Sequence, residues 1–353
     1  MVDAVKSSPD AGALPELPRE GLLLVCQKGF EHLAAREVAP QVVGETAVGG
    51  WWVAKGVARP GEPDVGWCFP HLIARGIEVH EVSSVNAAAK RLVERFGTWI
   101  RGARIESAWP CVFRAAEMEG LAGHLASIEA EFRRQLKERL GRVAKLASDL
   151  PRGVWHGQGL LVFSPRKGLL VLAREFRSGG QRRMADDPAA PSRSYLKTEE
   201  AFSILGLEPG AGQTVVDLGA APGGWSYSAA KRGANVIAVD NGPMKGGAAG
   251  HPAIDHRRED AFRFQPGRRA DWLLCDIVED PYRVLRLLEE WTDARRCRRF
   301  VVNLKFGRAD PLSLLAEVRH PFKGLMSKGV QRLVVRHLLH DREEFTLMGE
   351  VAD

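Results

Sequence analysis

The chain is poor in cysteine. Its five cysteines in 353 residues (Cys26, Cys68, Cys111, Cys275 and Cys297) are odd in number, widely spaced and never arranged as C-x-x-C. That pattern excludes a disulfide framework and a thiolate zinc site, implies no metal, and points to a reducing cytoplasm. No apolar run approaches the length of a membrane span, and no basic head precedes the short apolar stretch of an export signal, so neither a membrane location nor secretion is expected. No internal repeat is present. The dinucleotide fingerprint G-x-G-x-x-G is missing from the glycine-rich turn at 219–224, which excludes the pyrophosphate geometry of NAD(P)-dependent dehydrogenases there.

What is present is a globular composition, 45% hydrophobic, on a chain long enough for two domains. Fifty Lys and Arg against 44 Asp and Glu give a formal net charge of +6, which permits a polyanionic partner without demanding one. The most informative stretch is Val215-Val216-Asp217-Leu218-Gly219-Ala220-Ala221-Pro222-Gly223-Gly224-Trp225. It reads as a buried strand ending in a tight turn that opens a helix, with glycines allowing close backbone approach to a ligand. A second run, Val236-Ile237-Ala238-Val239, ends in Asp240, where a carboxylate can accept hydrogen bonds from ribose hydroxyls. The pair predicts a nucleotide-type cofactor other than a dinucleotide.

Residues 1–18, rich in Ala, Pro, Ser and Gly, read as a flexible arm. An N-terminal α/β region over 19–176 follows: a strand at Leu22–Cys26, a helix at Glu31–Val38, helices at Asn86–Phe96 and Ile128–Leu146, and a hairpin of Leu160–Phe163 with Leu169–Ala173 around a longer basic loop. The basic side of 128–146 (Arg133, Arg134, Lys137, Arg139, Arg142, Lys145) reads as a solvated face before it reads as an RNA contact. Residues 177–193 read as a linker. Over 194–353, helices alternate with apolar runs at 215–217, 236–240, 272–276, 300–305 and 333–338, the rhythm of a mostly parallel, doubly wound sheet.

Four residues in this second half could carry chemistry. Asp276 and Lys305 each end an apolar run, and so belong at the carboxyl edge of the sheet, where open α/β folds place ligands; a helix-capping aspartate is the plainer reading of the first. Lys197 precedes a helix start and is unremarkable alone. Glu344, beside Glu343, opens the last apolar run, Phe345-Thr346-Leu347-Met348, and either glutamate could be a mere hairpin rim.

Their order, with Asp217–Trp225, Asp240 and Asp260, resembles the Lys-Asp-Lys-Glu set of RrmJ/FtsJ-type ribose 2′-O-methyltransferases. Pro191–Lys197, Val239–Met244, Arg258-Glu259-Asp260, Cys275–Glu279, Asn303-Leu304-Lys305 and His340–Glu344 are similar to the RlmM family of bacterial 23S rRNA ribose 2′-O-methyltransferases. The resemblance implies a Rossmann-like domain that uses S-adenosyl-L-methionine (AdoMet), preceded by a THUMP-type RNA-binding region. It implies methylation of a cytidine ribose in 23S rRNA or a large-subunit precursor. It further implies catalytic Lys197, Asp276, Lys305 and Glu344, with Lys305 as proton acceptor. Cofactor contacts are implied at Ser194, Asp217, Gly219, Ala221, Pro222, Gly223, Gly224, Trp225, Asp240, Asp260 and Asp276. Two features depart from the family, Phe306–Asp310 in place of a more basic stretch and an end soon after the last strand; both bear on RNA contact rather than on the reaction. Another RNA, or a small-molecule hydroxyl, is the alternative acceptor.

Overall fold

A computed structural model describes residues 21–38, 45–46, 49–55 and 66–353. The expected arm at 1–18 lies outside them. The N-terminal half is built on strands β1 (Gly21–Val25), β2 (Glu45–Thr46), β3 (Trp51–Lys55), β4 (Leu72–Arg75), β5 (Glu78–Glu81), β6 (Trp109–Ala115), β7 (Ala147–Ser148), β8 (Trp155–Arg166) and β9 (Leu169–Ser178), ordered β2-β3-β1-β4-β9-β8-β6-β7 with β5 also on β9. Helices α1 (Glu31–Val38), α2 (Val85–Trp99), α3 (Leu121–Arg139) and the single turn α4 (Gly141–Ala144) accompany them. Helix α2 starts where the Ser84 hydroxyl accepts from the Ala87 amide, and buries Ala88, Ala89, Leu92, Val93 and Phe96, one face of a 3.6-residue period.

Two local expectations change. The helix read at 128–146 begins at Leu121 and stops at Arg139, because Leu140 leaves helical geometry (φ −138°, ψ 52°) before Gly141. Arg133 on α3 pairs with Glu129 and Arg134 with Glu131 and Glu138, one helical turn away, so these arginines belong to a solvated face. The β8–β9 hairpin closes on only Lys167 and Gly168, because Ser164-Pro165 are taken up by a register shift between Phe163 and Arg166. Proline fits such a bulge, where its missing N–H breaks no ladder bond.

The C-terminal sheet comprises β10 (Thr214–Leu218), β11 (Asn235–Val239), β12 (Ile254–Arg257), β13 (Ala270–Cys275), β14 (Cys297–Lys305), β15 (Val330–Arg336) and β16 (Glu344–Val351), in the order β12-β11-β10-β13-β14-β16-β15. All its pairings are parallel except those of β16, which lies antiparallel to β14 and to β15. Alternate residues serve opposite faces. Val215, Val236, Trp272 and Val301 pack with Phe202 and Leu205 of α5 (Tyr195–Leu205) and Trp225 of α6 (Gly224–Ala230). Val216, Leu273, Phe300 and Val302 pack with Leu285 and Leu288 of α7 (Pro281–Asp293) and Leu314 of α8 (Pro311–Val318). This is the expected Rossmann-like, doubly wound sheet. Its strand order reverses direction between β10 and β13, the position at which open α/β sheets bind ligands.

The two halves share a core. Leu22, Trp52 and Phe69 belong to the same buried cluster as Val335, Phe345 and Leu347. At its rim the His337 amide donates to the Cys68 carbonyl (2.8 Å), and the buried Arg336 guanidinium donates to the Trp67 and Gly179 carbonyls. His337 and His71 are both driven toward the neutral imidazole by burial, to about 4 and about 3. Strand β9 continues two residues into the expected linker. Residues 179–193 form no strand or helix, yet they are pinned at Gly179 by the His71 carbonyl, at Arg182 by Glu200 and at Met184 by His340.

Candidate active site

Strand register brings distant residues together. Leu218 pairs with Cys275, which places the turn after β10 beside Asp276, and Lys305 pairs directly with Glu344 across β14 and β16. Lys197 enters from the first turn of α5. The Lys305 ammonium lies 2.9 Å from Asp276 Oδ1 and also donates to the Asp276 carbonyl at 2.9 Å. The Lys197 ammonium donates to Glu344 Oε1 at 2.6 Å and stands 3.9 Å from Asp276 Oδ2. Lys197, Asp276, Lys305 and Glu344 therefore form one interlocked group, with side-chain exposures of 12, 15, 21 and 9%. Glu344 also accepts from the Arg342 amide, whereas Glu343 is exposed and its carbonyl accepts from the Phe306 amide, so Glu344 is the glutamate in the group.

Burial works against the Lys197 charge, but Asp276, Asp341 and Glu344 outweigh it and hold Lys197 above the ordinary lysine range. Burial likewise raises Glu344, and Lys197 more than reverses this, leaving it below the usual carboxylate range. That pair is fixed as ammonium and carboxylate.

The glycine turn lies alongside. Gly219 and Gly223 have φ of 75° and 107°, and a Cβ on either would fall 2.5 Å from Ile277 or 2.4 Å from Ala248. Only glycine fits both the backbone and the space. Ala221 and Pro222, joined by a cis peptide bond, and Gly224 complete the turn. Asp240 braces it by accepting from the Ala221 amide (3.0 Å) and the Gly242 amide (2.7 Å). Asp217, fully buried below the turn, accepts from Ser226 through Oδ2 at 2.6 Å, while its Oδ1 is buried without a hydrogen-bond partner in the chain. Burial pushes its pKa up to about 7. An orphaned carboxylate oxygen beneath a turn that excludes Cβ atoms fits a small ligand carrying polar hydrogens, as AdoMet does.

Trp225, Ser194 and Asp260 are the remaining expected contacts. Trp225 is buried in the core and its indole N–H donates to the Ser194 carbonyl, so it ties α6 to the start of α5. Ser194 Oγ meets Ser192 Oγ at 2.7 Å. Asp260 is exposed after β12 and accepts from the Phe262 amide. Among the described residues no group of three or more His, Cys, Asp or Glu could hold a metal ion, and no helix is long and apolar enough to cross a membrane.

Residues 190–302 match the FtsJ-like methyltransferase family. The chain is 39% identical over 254 residues, 68% of each chain, to the ribosomal RNA large subunit methyltransferase M of Laribacter hongkongensis. Its identity to the protein of the same name from Azotobacter vinelandii is 34% over 360 residues, covering 92% of this chain and 96% of that one. The chain belongs to the ribosomal RNA large subunit methyltransferase M family.

As a member of that family, the chain carries a second layer of polar residues behind the group, to which sequence reasoning assigned no role. Asn303 on β14 and Thr346 on β16 are cross-strand partners, both fully buried, with Asp341 buried beside them. Glu200, also buried, accepts from the amides of Arg182, Leu339 and His340. The available signal was a polar residue inside an apolar strand, as in Phe300-Val301-Val302-Asn303-Leu304.

Proposed function

We propose that this member of the ribosomal RNA large subunit methyltransferase M family transfers the methyl group of AdoMet to the ribose 2′-hydroxyl of a cytidine in 23S rRNA, with Lys305 accepting the hydroxyl proton. The observation that carries the reading is the Lys197–Asp276–Lys305–Glu344 group set beside a ligand-shaped glycine turn. When bound, AdoMet supplies a methyl already activated by its sulfonium. The protein's task is then to aim the hydroxyl and take one proton. Asp276, anchored at Oδ1, steers the Lys305 nitrogen, and Lys305 acts once it is neutral. Lys197, held charged by Glu344, presents a fixed cation beside Asp276 that competes for its carboxylate. Asp217, the 219–224 turn and Asp240 would hold the cofactor, with Ser194 and Asp260 at its margins.

The N-terminal α/β region over 19–176, which includes a THUMP-type domain, would supply RNA affinity, with 177–193 as the linker and 194–353 as the methyltransferase domain. In support, exposed Arg152, Arg182 and Arg183 line a cleft of about 600 Å³ between the two halves, whose two lining carboxylates, Glu199 and Glu208, are both paired with Arg232. Phosphate contacts there make affinity fall steeply with salt; a flat salt response would remove the polyanion. Labelled AdoMet incubated with unmodified 23S rRNA should mark one cytidine ribose, located by mass mapping of nucleotides. Transfer to small hydroxyl compounds but not to RNA would overturn the reading.

A further inference from the structure

Behind Asp276 runs a chain of hydrogen bonds that the reaction as proposed does not use. The Asn303 amide nitrogen donates to Asp276 Oδ1 at 3.1 Å, the same oxygen that faces Lys305. Asn303 cannot be turned the other way, since its amide oxygen would then face a carboxylate that offers no proton. Its oxygen therefore accepts, and the donor is the Thr346 hydroxyl at 2.6 Å. Thr346 has one proton, and its hydroxyl also lies 3.1 Å from Asp341 Oδ2. If Asp341 were ionised, Asn303 and Asp341 would both require that proton, and one buried contact would bring two acceptors together. The count closes only when Asp341 carries a proton of its own and donates it to Thr346.

We propose that Asn303, Thr346 and Asp341 form a one-way hydrogen-bond relay, beginning at the acid form of Asp341, that fixes the Asp276 carboxylate for Lys305. All three are positioning residues, and the proposal rests on the methyl-transfer reading above. The surroundings agree with the donor count. Lys197 and Glu200 of α5, Glu344 of β16 and Cys68 of the N-terminal half face Asp341. Burial, reinforced by the two glutamates, outweighs Lys197 and the Leu338 amide and keeps the Asp341 proton on well past the usual carboxylate range. The Asp341 carbonyl also accepts from the Gln27 side-chain Nε2 at 3.1 Å, so the N-terminal half holds the relay's first member in place.

The test is a set of side chains that differ in what they donate. Asp341→Asn, with its oxygen kept on the Leu338 amide, places its NH2 group at the Oδ1 position, which lies 3.4 Å from the Thr346 hydroxyl, and should retain a single-turnover rate within about threefold of wild type. Asp341→Ala and Thr346→Val remove a link and should each slow the methyl-transfer step by about tenfold or more, with AdoMet affinity unchanged. Thr346→Ser should restore the rate. A merely structural role would lower folded yield without separating Asp341→Asn from Asp341→Ala or shifting the pH profile of the rate. If Asp341→Asn is as slow as Asp341→Ala, or Thr346→Val runs at the wild-type rate, the relay is wrong. Carboxyl carbon NMR of the wild-type protein reads the same point without RNA: the Asp341 signal should be that of a protonated acid at neutral pH, and an ionised signal would overturn the proposal. Absence of RNA methylation by wild type, alongside a protonated Asp341, would instead count against the function and leave the relay standing.

Discussion

The two edges of the C-terminal sheet are both lined with charge, and they differ in what the charges can do. At the amino edge Arg298 pairs with Asp353 (2.8 Å) and Asp271 (3.7 Å), and Arg269 with Asp353 (3.2 Å), but Asp353 is 89% exposed and Arg298 48%. Each of these pairs has a member open to water, which competes for its partner. At the carboxyl edge Lys197, Asp276, Lys305 and Glu344 have similar separations, yet they are nearly covered; Asp276, Lys305 and Glu344 sit at the ends of adjacent strands whose register fixes them, and Lys197 reaches them from the first turn of α5. Ion pairing alone therefore does not mark a functional edge. Dehydration combined with backbone-imposed geometry does, because it lets one charge reset the proton affinity of the next.

The comparison breaks most visibly at Lys305. Lys305→Ala should lower single-turnover methyl transfer by about 10³-fold or more while leaving AdoMet affinity nearly intact, and Lys305→Arg should fail as well, since arginine does not release a proton in the accessible range. Near-native transfer by Lys305→Arg would make the residue an electrostatic guide rather than a base.

Asp217 tests the dehydration half of the contrast. Its folded pKa, raised from 3.8 to about 7, means that the unfolded chain loses this proton first as pH rises, so its contribution to stability is whole below about pH 4 and is lost on the way to pH 7. Asp217→Asn escapes that loss. In the cofactor-free protein its stability advantage should grow from about pH 4 to about pH 7, reaching on the order of a few kcal/mol by denaturant unfolding, and then level off. An advantage independent of pH would contradict the buried acid.

Asp240→Ala removes a braced carboxylate and should weaken AdoMet binding by about 1.5–3 kcal/mol in calorimetry, with unchanged affinity relocating the cofactor. Smallest of all, Arg298→Ala at the amino edge should alter stability by no more than about 0.5 kcal/mol and leave methyl transfer untouched.

Local pattern made part of this legible. Helix Glu31–Val38 and the strand-turn-helix at 215–225 read directly from apolar period and glycine placement, and the four site residues emerged from the resemblance of their order to the RrmJ/FtsJ set. What escaped depends on register or on distant partners. Gly141, just past the turn holding Lys137 and Arg139, does signal a helix end, but the apolar spacing that continues to Leu146 masks it, and the Asn303–Thr346 contact exists only because β16 inserts antiparallel against β14. The segment 179–193 looks loose because it is polar, yet its amides are held by Glu200 and His340, acceptors not visible from its own composition. Gln27 and Asp341, 314 positions apart, meet only after both halves are built.

The core shared by the halves has a mechanical consequence. Phe30 packs against Phe69, Phe306 and His337, with ring centroids 4.2 to 6.4 Å apart, and the cluster reaches Phe345, next to Glu344. Units that pivot on one another meet through wet, polar surfaces; a seam this apolar resists hinge opening. A rigid body cannot fold itself around a ribose buried in a helix. On the reading proposed above, the distortion falls on the nucleic acid, whose target nucleoside would have to swing out of its stack to reach Lys305, and a loosely structured strand should be a better acceptor than the same sequence locked in a duplex.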